Sequence, residues 1–177
     1  MPLIILTGAS GSGKTAIAEA IENNWPGLAD IFRFDSIGVP SLEAMTIRHG
    51  SPEAWQRAMI RDWLARIAAS RSANRPVLFE GQMRLAFVRE GLLAAGIADA
   101  RIVLVDCDDE TRKRRLLTGR RQPELGDAAM MNWAAFLRRE AQTHGCEALD
   151  TSEISLEASV EHIRRLLQQP MGDPPSR

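Results

Sequence analysis

Eight consecutive residues limit what this chain can fold into more than any others: Gly8-Ala9-Ser10-Gly11-Ser12-Gly13-Lys14-Thr15. They follow the apolar run Leu3 to Leu6 and precede a helical pattern carrying Ile17 and Ile21. The order strand, glycine-rich loop, helix is the context in which G-x-x-x-x-G-K-[ST] holds phosphate. Its glycines let the backbone turn tightly and aim successive N–H groups inward, while the positive end of the following helix favours phosphate oxygens. Lys14 supplies a mobile ammonium for the outer phosphates, and Thr15 supplies a hydroxyl for Mg2+.

Bulk properties narrow the class. A length of 177 residues suits one domain, expected here over 1–169, with a disordered tail over 170–177 that lacks core-forming residues. The formal charge of −1 and pI near 6.3 offer no global attraction to nucleic acid or an anionic membrane. Cys107 and Cys146 have neither a metal-ligand spacing nor a disulfide framework and read as small buried apolar residues. No segment approaches the length of a membrane span, and the apolar start lacks a basic leader, so a soluble cytoplasmic protein is expected.

Along the chain, apolar runs alternate with helical patterns, as in a parallel sheet with right-handed crossovers. The first helix is expected over Gly13 to Asn24, ended by Pro26-Gly27. Ile31 to Phe34 forms a second strand that stops at Asp35. Ser41 caps a short helix to Arg48, and Ser51-Pro52-Glu53 opens a longer one reaching Ser70. On that helix Trp55, Met59 and Trp63 fall on one face, a stripe that reads first as packing.

Val77-Leu78-Phe79 has the continuous apolar character of a central strand and ends in Glu80-Gly81-Gln82-Met83-Arg84, where Gly81 permits a sharp turn. A helix follows over Met83 to Ala95, then a strand over Arg101 to Asp106 with the apolar run Ile102 to Val105. Asp108-Asp109-Glu110 opens a helix continued by Arg112-Lys113-Arg114-Arg115, and Arg120 and Arg121 extend the basic cluster into a flap. So dense a cluster beside a phosphate site reads as a clamp for the transferring phosphoryl group. It lacks the interleaved aromatics of a nucleic-acid footprint. A helix over Asp127 to His144, a strand over Cys146 to Leu149, the loop Asp150-Thr151-Ser152 and a helix over Leu156 to Gln168 complete the pattern. That loop either lines the base of a nucleotide or caps the last helix.

These residues resemble a small P-loop kinase of the adenylate, shikimate and gluconate kinase group. The resemblance rests on Gly8 to Thr15, Asp35, Glu80 to Arg84, and the run from Asp106 through Arg114-Arg115-Leu116-Leu117-Thr118-Gly119-Arg120-Arg121. It implies an α/β, three-layer P-loop NTPase fold with a five-stranded parallel sheet in the order 2-3-1-4-5. It also implies a helical substrate-binding insertion over 36–75 and a lid over 112–127. Shikimate kinases carry an aspartate after the second strand, as Asp35 does here, but three glycines after the third, which are absent.

The resulting expectation is ATP- and Mg2+-dependent phosphoryl transfer to a hydroxyl of a small molecule such as a nucleoside or sugar acid. Gly8 to Thr15 with Arg115, Arg120, Asp150 and Thr151 would bind the nucleotide; Thr15 and Glu80 would serve the metal. Asp35, Glu80, Arg84 and Arg121 would face the acceptor, and Lys14, Asp35, Glu80, Arg115 and Arg120 would take part in catalysis. No nucleic-acid or membrane partner is expected, and the chain would be a monomer or homodimer. The competing expectations are a regulatory ATPase without a small-molecule acceptor and a nucleotide or polynucleotide kinase.

Overall fold

The computed structural model describes residues 2–70, 75–119 and 127–169. Five strands, β1 (Leu3–Thr7), β2 (Asp30–Arg33), β3 (Val77–Gly81), β4 (Ala100–Asp106) and β5 (Glu147–Asp150), form one sheet in the order β2-β3-β1-β4-β5. Every neighbouring pair is parallel. Among the described residues, seven helices connect or flank them: α1 (Lys14–Asn24), α2 (Leu42–His49), α3 (Pro52–Ser70), α4 (Leu85–Ala94), α5 (Asp109–Arg114), α6 (Ala128–Thr143) and α7 (Leu156–Gln168). Both the three-layer fold and the strand order agree with the expectation from sequence.

The apolar run of β1 explains the layering. Successive strand residues point to opposite faces, so a strand apolar at every position needs helices on both sides. Leu3 and Ile5 join one core with residues of α3, α4 and α6, while Ile4 and Leu6 join another with residues of α1 and α7. All four are fully buried. The stripe on α3 is packing, as read from its spacing: Trp55 is buried, and Met59 and Trp63 pack against the first core.

Several boundaries move from their expected places. The first helix begins at Lys14, one residue late, because Gly13 adopts a left-handed φ of 103° and acts as its cap. Phe34 leaves β2 for a 3-10 turn, Phe34–Ile37, and its ring is buried edge-on to Trp55. The fourth helix starts at Leu85 rather than Met83, since the Thr7 hydroxyl donates to the Met83 carbonyl at 2.6 Å and accepts from its N–H at 3.1 Å. The last strand is shifted one residue, to Glu147–Asp150.

The 36–75 segment contains α2 and α3, which pack on one another and on the β2–β3 side of the sheet. Of the expected lid, residues up to 119 belong to α5 and a following π-turn, Arg115–Gly119. Arg120 and Arg121 lie outside the described residues, as does the expected tail. Among the described residues no helix is long and apolar enough to cross a membrane.

Candidate active site

The register of a parallel sheet decides which loops meet. Leu6 of β1 lies beside Glu80 of β3, and Glu80 lies beside Arg33 of β2. The chain therefore emerges from these three strands at one rim, where open α/β sheets bind ligands. The phosphate loop follows β1, Asp35 follows β2 by two residues, and Glu80 is the last residue but one of β3.

In the loop, Gly8 has no substitute. A Cβ built on it would stand 2.1 Å from the Val105 carbonyl oxygen, and its φ of 151° is unfavourable for a side chain. The Lys14 ammonium is buried and donates to the Ala9 carbonyl at 3.0 Å and to Ser12 Oγ at 3.4 Å, so it lies folded across the loop. The first turn of α1 carries no acidic side chain. Its free N–H groups and positive dipole end are thus left for an anion.

Opposite the loop, Thr15 Oγ1 donates to Glu80 Oε1 at 3.4 Å. Burial pushes the Glu80 carboxyl above its ordinary value of 4.5, opposed by the ammonium of Lys14 and reinforced by the negative charge of Asp35. Asp35 lies on the same rim, two residues past the β2 residue that pairs with Glu80. Asp35 itself is exposed, on a 3-10 turn anchored by the buried ring of Phe34. Gly81, expected to serve a sharp turn, instead ends β3 under that ring: a Cβ on it would stand 2.4 Å from Phe34 Cβ. The anchor of Asp35 therefore depends on a missing methyl group in the neighbouring strand.

The basic cluster divides. Arg115 reaches back to the loop side, donating to Thr151 Oγ1 at 2.8 Å and to the Thr151 carbonyl at 2.6 Å. The buried Thr151 hydroxyl donates to the Ser12 or Asp106 carbonyl, at 2.9 and 3.0 Å. Both residues line a cavity of about 250 Å³ beside the loop, closed on its apolar side by Ala16, Ile17, Ile154 and Leu156. A larger cleft of about 730 Å³ opens between α4 and the amino ends of β4 and β5 and holds none of the motif residues.

Two expected site residues are otherwise engaged. Arg84, read as facing the acceptor, pairs with Glu53 at 3.0 Å, and its guanidinium lies over the rings of Phe136, Trp133 and Phe87. Cation–π contacts and an ion pair fasten it between α3, α4 and α6. Asp150, read as lining the nucleotide, instead accepts from the Ser152 N–H at 2.9 Å and from its hydroxyl, bracing the turn. It is absent from the lining of the cavity that holds Thr151.

Sequence reasoning missed Arg112. Grouped with the basic cluster, it is fully buried, donating to the Ser10 carbonyl at 2.8 Å, to the Cys107 carbonyl at 3.0 Å and to Asp106. Asp106 also accepts from Arg138 of α6. The signal available was the i, i+3 offset from Arg115, which puts the two arginines on neighbouring parts of one helical face. The amides of Gln82 and Gln56 were missed as well: Gln82 donates to Ser10 Oγ at 3.0 Å, and Gln56 donates to the Gln82 carbonyl at 3.1 Å. This chain of polar contacts runs from the phosphate loop to the N-terminal part of α3.

A family model described as an AAA domain matches residues 4–132. No curated protein matches the chain. Among solved structures, the tunicamycin resistance protein of Deinococcus radiodurans is 22% identical, with a TM-score of 0.65 over 98% of this chain and 99% of that one. A shikimate kinase of Acinetobacter baumannii, solved with shikimate, is 17% identical, with a TM-score of 0.62 over 95% and 93%. The APS kinase of Mycobacterium tuberculosis, solved with AMPPNP and APS, is 18% identical, with a TM-score of 0.61 over 95% and 98%. The loop between β1 and α1, the five-stranded order and the matched residues lead to one assignment: the chain belongs to the AAA domain family and has the fold of the P-loop kinase group.

Proposed function

We propose that the chain transfers the γ-phosphoryl group of ATP to a hydroxyl of a small molecule. The observation that carries this reading is the convergence of Lys14, Thr15, Glu80 and Asp35 on one rim of the sheet, with Thr15 and Glu80 in contact at 3.4 Å. A hydrolase or switch needs the first three; an exposed carboxylate beside them, on a turn of its own, suits an acceptor hydroxyl. The kinases among the structural relatives, which include proteins solved with shikimate and with APS, support the same class.

The loop amides, the α1 N-terminus and Lys14 hold the β- and γ-phosphates and offset the charge that develops between them. Thr151, Arg115 and the apolar wall of Ile17, Ile154 and Leu156 receive the nucleoside part. Asp35 orients the acceptor hydroxyl and takes its proton as the acceptor oxygen bonds to the γ-phosphorus. The bond from that phosphorus to the β–γ bridging oxygen breaks, its electron pair leaves with ADP, and the phosphorylated acceptor departs. The oxygen-only pair of Thr15 and Glu80 fits Mg2+, which takes few protein ligands when phosphates and water supply the rest. Bound there, Mg2+ would neutralise phosphate charge. Arg120 and Arg121 would add guanidinium donors over the transferring group.

The test is acceptor-dependent ADP release across a panel of nucleosides, sugars and sugar acids. Wild type should respond to an acceptor, Lys14→Ala should lose about a hundredfold in turnover, and Asp35→Asn at least as much. ATP hydrolysis indifferent to every acceptor and to Asp35→Asn would point to a regulatory ATPase instead.

A further inference from the structure

The segment that follows Asp35 is apolar where folding does not need it to be. Ile37 is 44% exposed, Val39 57% and Leu42 70%. The packing of this stretch is done by Phe34 and Met45, both buried in the core that includes Trp55. Single exposed aliphatic side chains are ordinary, but three within six residues, beginning two residues after the proposed acceptor base, call for a ligand-side explanation. Ile47, also exposed, lies near the opposite face of α2 from Met45 and does not belong with them.

Charge supplies the second half. Asp35 and Glu80 bring negative charge to the acceptor side, and the two arginines flanking them along the chain are paired. Arg33 meets Glu22 at 2.6 Å, and Arg84 meets Glu53 and three aromatic rings. Among the described residues, Arg33 and Arg84 are already engaged, so an acceptor carrying a carboxylate or phosphate would face the charge of Asp35 and compete with Glu22 or Glu53 for a guanidinium partner.

We propose that the acceptor is an uncharged alcohol with an apolar body, its hydroxyl at Asp35 and its apolar part against Ile37, Val39 and Leu42. The proposal rests on the kinase reading for the identity of the site, but not on turnover for its test. It sets the acceptor apart from sugar acids and nucleotide phosphates, and it gives the exposed residues of the 36–75 segment a specificity role.

The experiment is calorimetric binding to the full chain in the presence of AMPPNP and Mg2+, with three probes: methyl β-glucoside, hexyl β-glucoside and hexyl β-glucuronide. Hexyl β-glucoside should bind about tenfold or more tighter than the methyl compound, because the added methylenes leave water. Hexyl β-glucuronide should bind about tenfold weaker than hexyl β-glucoside. The double variant Val39→Ser, Leu42→Ser should lose the alkyl advantage and keep its affinity for AMPPNP. Any of four results would overturn the proposal: no binding of any probe, equal binding of methyl and hexyl glucosides, glucuronide binding at least as tight as glucoside, or an alkyl advantage that survives the double variant. Sedimentation of the same proteins adds a fifth, a wild-type dimer dissociated by the double variant, which would make the patch a self-association surface. Failure of the kinase reading looks different: hexyl β-glucoside binds as expected, yet no alcohol raises ADP release.

Discussion

The guanidinium of Arg112, wholly buried, donates to the carbonyl oxygen of Ser10 at 2.8 Å and so holds the phosphate loop from beneath. The same group is tied to Asp106, which ends β4 and also binds Arg138 of α6. The loop is therefore fixed to the sheet and to the helix on either side of the expected lid. One nitrogen of this guanidinium, Nε, is buried with no hydrogen-bond partner in the described structure, so the fork already carries an unmet donor.

Arg112→Met should destabilise the protein by about 3 kcal/mol, the scale for removing one partner of a buried charge cluster. It should also raise KM for ATP while changing kcat less, because the loop amides lose their orientation before the acceptor side is touched. Arg112→Lys should recover part of the stability but not the loop geometry, since an ammonium cannot span the same acceptors. Urea unfolding together with steady-state kinetics checks both; an unchanged KM for ATP in a folded Arg112→Met protein would remove Arg112 from the site.

Glu80→Gln separates stability from function. In the folded protein burial holds the Glu80 carboxyl above its ordinary value of 4.5, so between that value and the raised one the folded state binds more protons than the unfolded. Stability contributed by this group is complete below about pH 4.5 and is lost as pH rises through the raised value. Glutamine, which cannot ionise, should leave the free protein more stable than wild type at neutral pH and flatten that slope. Its turnover should nevertheless fall, with loss of the Mg2+ dependence. Thermal unfolding from pH 4 to pH 8 and Mg2+ titration of ADP release give the two readings.

Gly81→Ala would push a methyl group to 2.4 Å from Phe34 Cβ. The expected cost is about 1–3 kcal/mol, the range for overpacking. Because Phe34 opens the turn that carries Asp35, turnover should drop more than ATP affinity does. Phe34→Leu in the Gly81→Ala background keeps the Cβ that the new methyl meets and should return no activity; measuring both variants shows whether displacement of the turn, rather than the size of the ring, couples the two sites.

Thr151→Val keeps the shape and deletes a buried hydroxyl that both donates to a backbone carbonyl and accepts from Arg115. A loss of about 1–3 kcal/mol is expected, with ATP affinity reduced and acceptor affinity unchanged. A fluorescent ATP analogue reads the first and acceptor calorimetry the second.

What the linear chain determined by itself was local. The apolar runs and the glycine-lysine-threonine loop between Leu6 and Ile17 specify strand, turn and helix through backbone conformations that neighbouring residues dictate. With βα alternation, they specify a parallel sheet whose loops share a rim. Glu80 and Asp35 were legible for that reason: each is a carboxylate where an apolar strand stops. Tertiary structure decided which charges remain available there. Whether an arginine is a phosphate clamp or a buried brace depends on what surrounds it in space, and nothing near Arg112, Arg84 or Asp150 in sequence announces Ser10, the rings of Trp133 and Phe136, or the turn at Ser152. Long-range desolvation and pairing assign those roles, and only the folded chain brings the partners within reach.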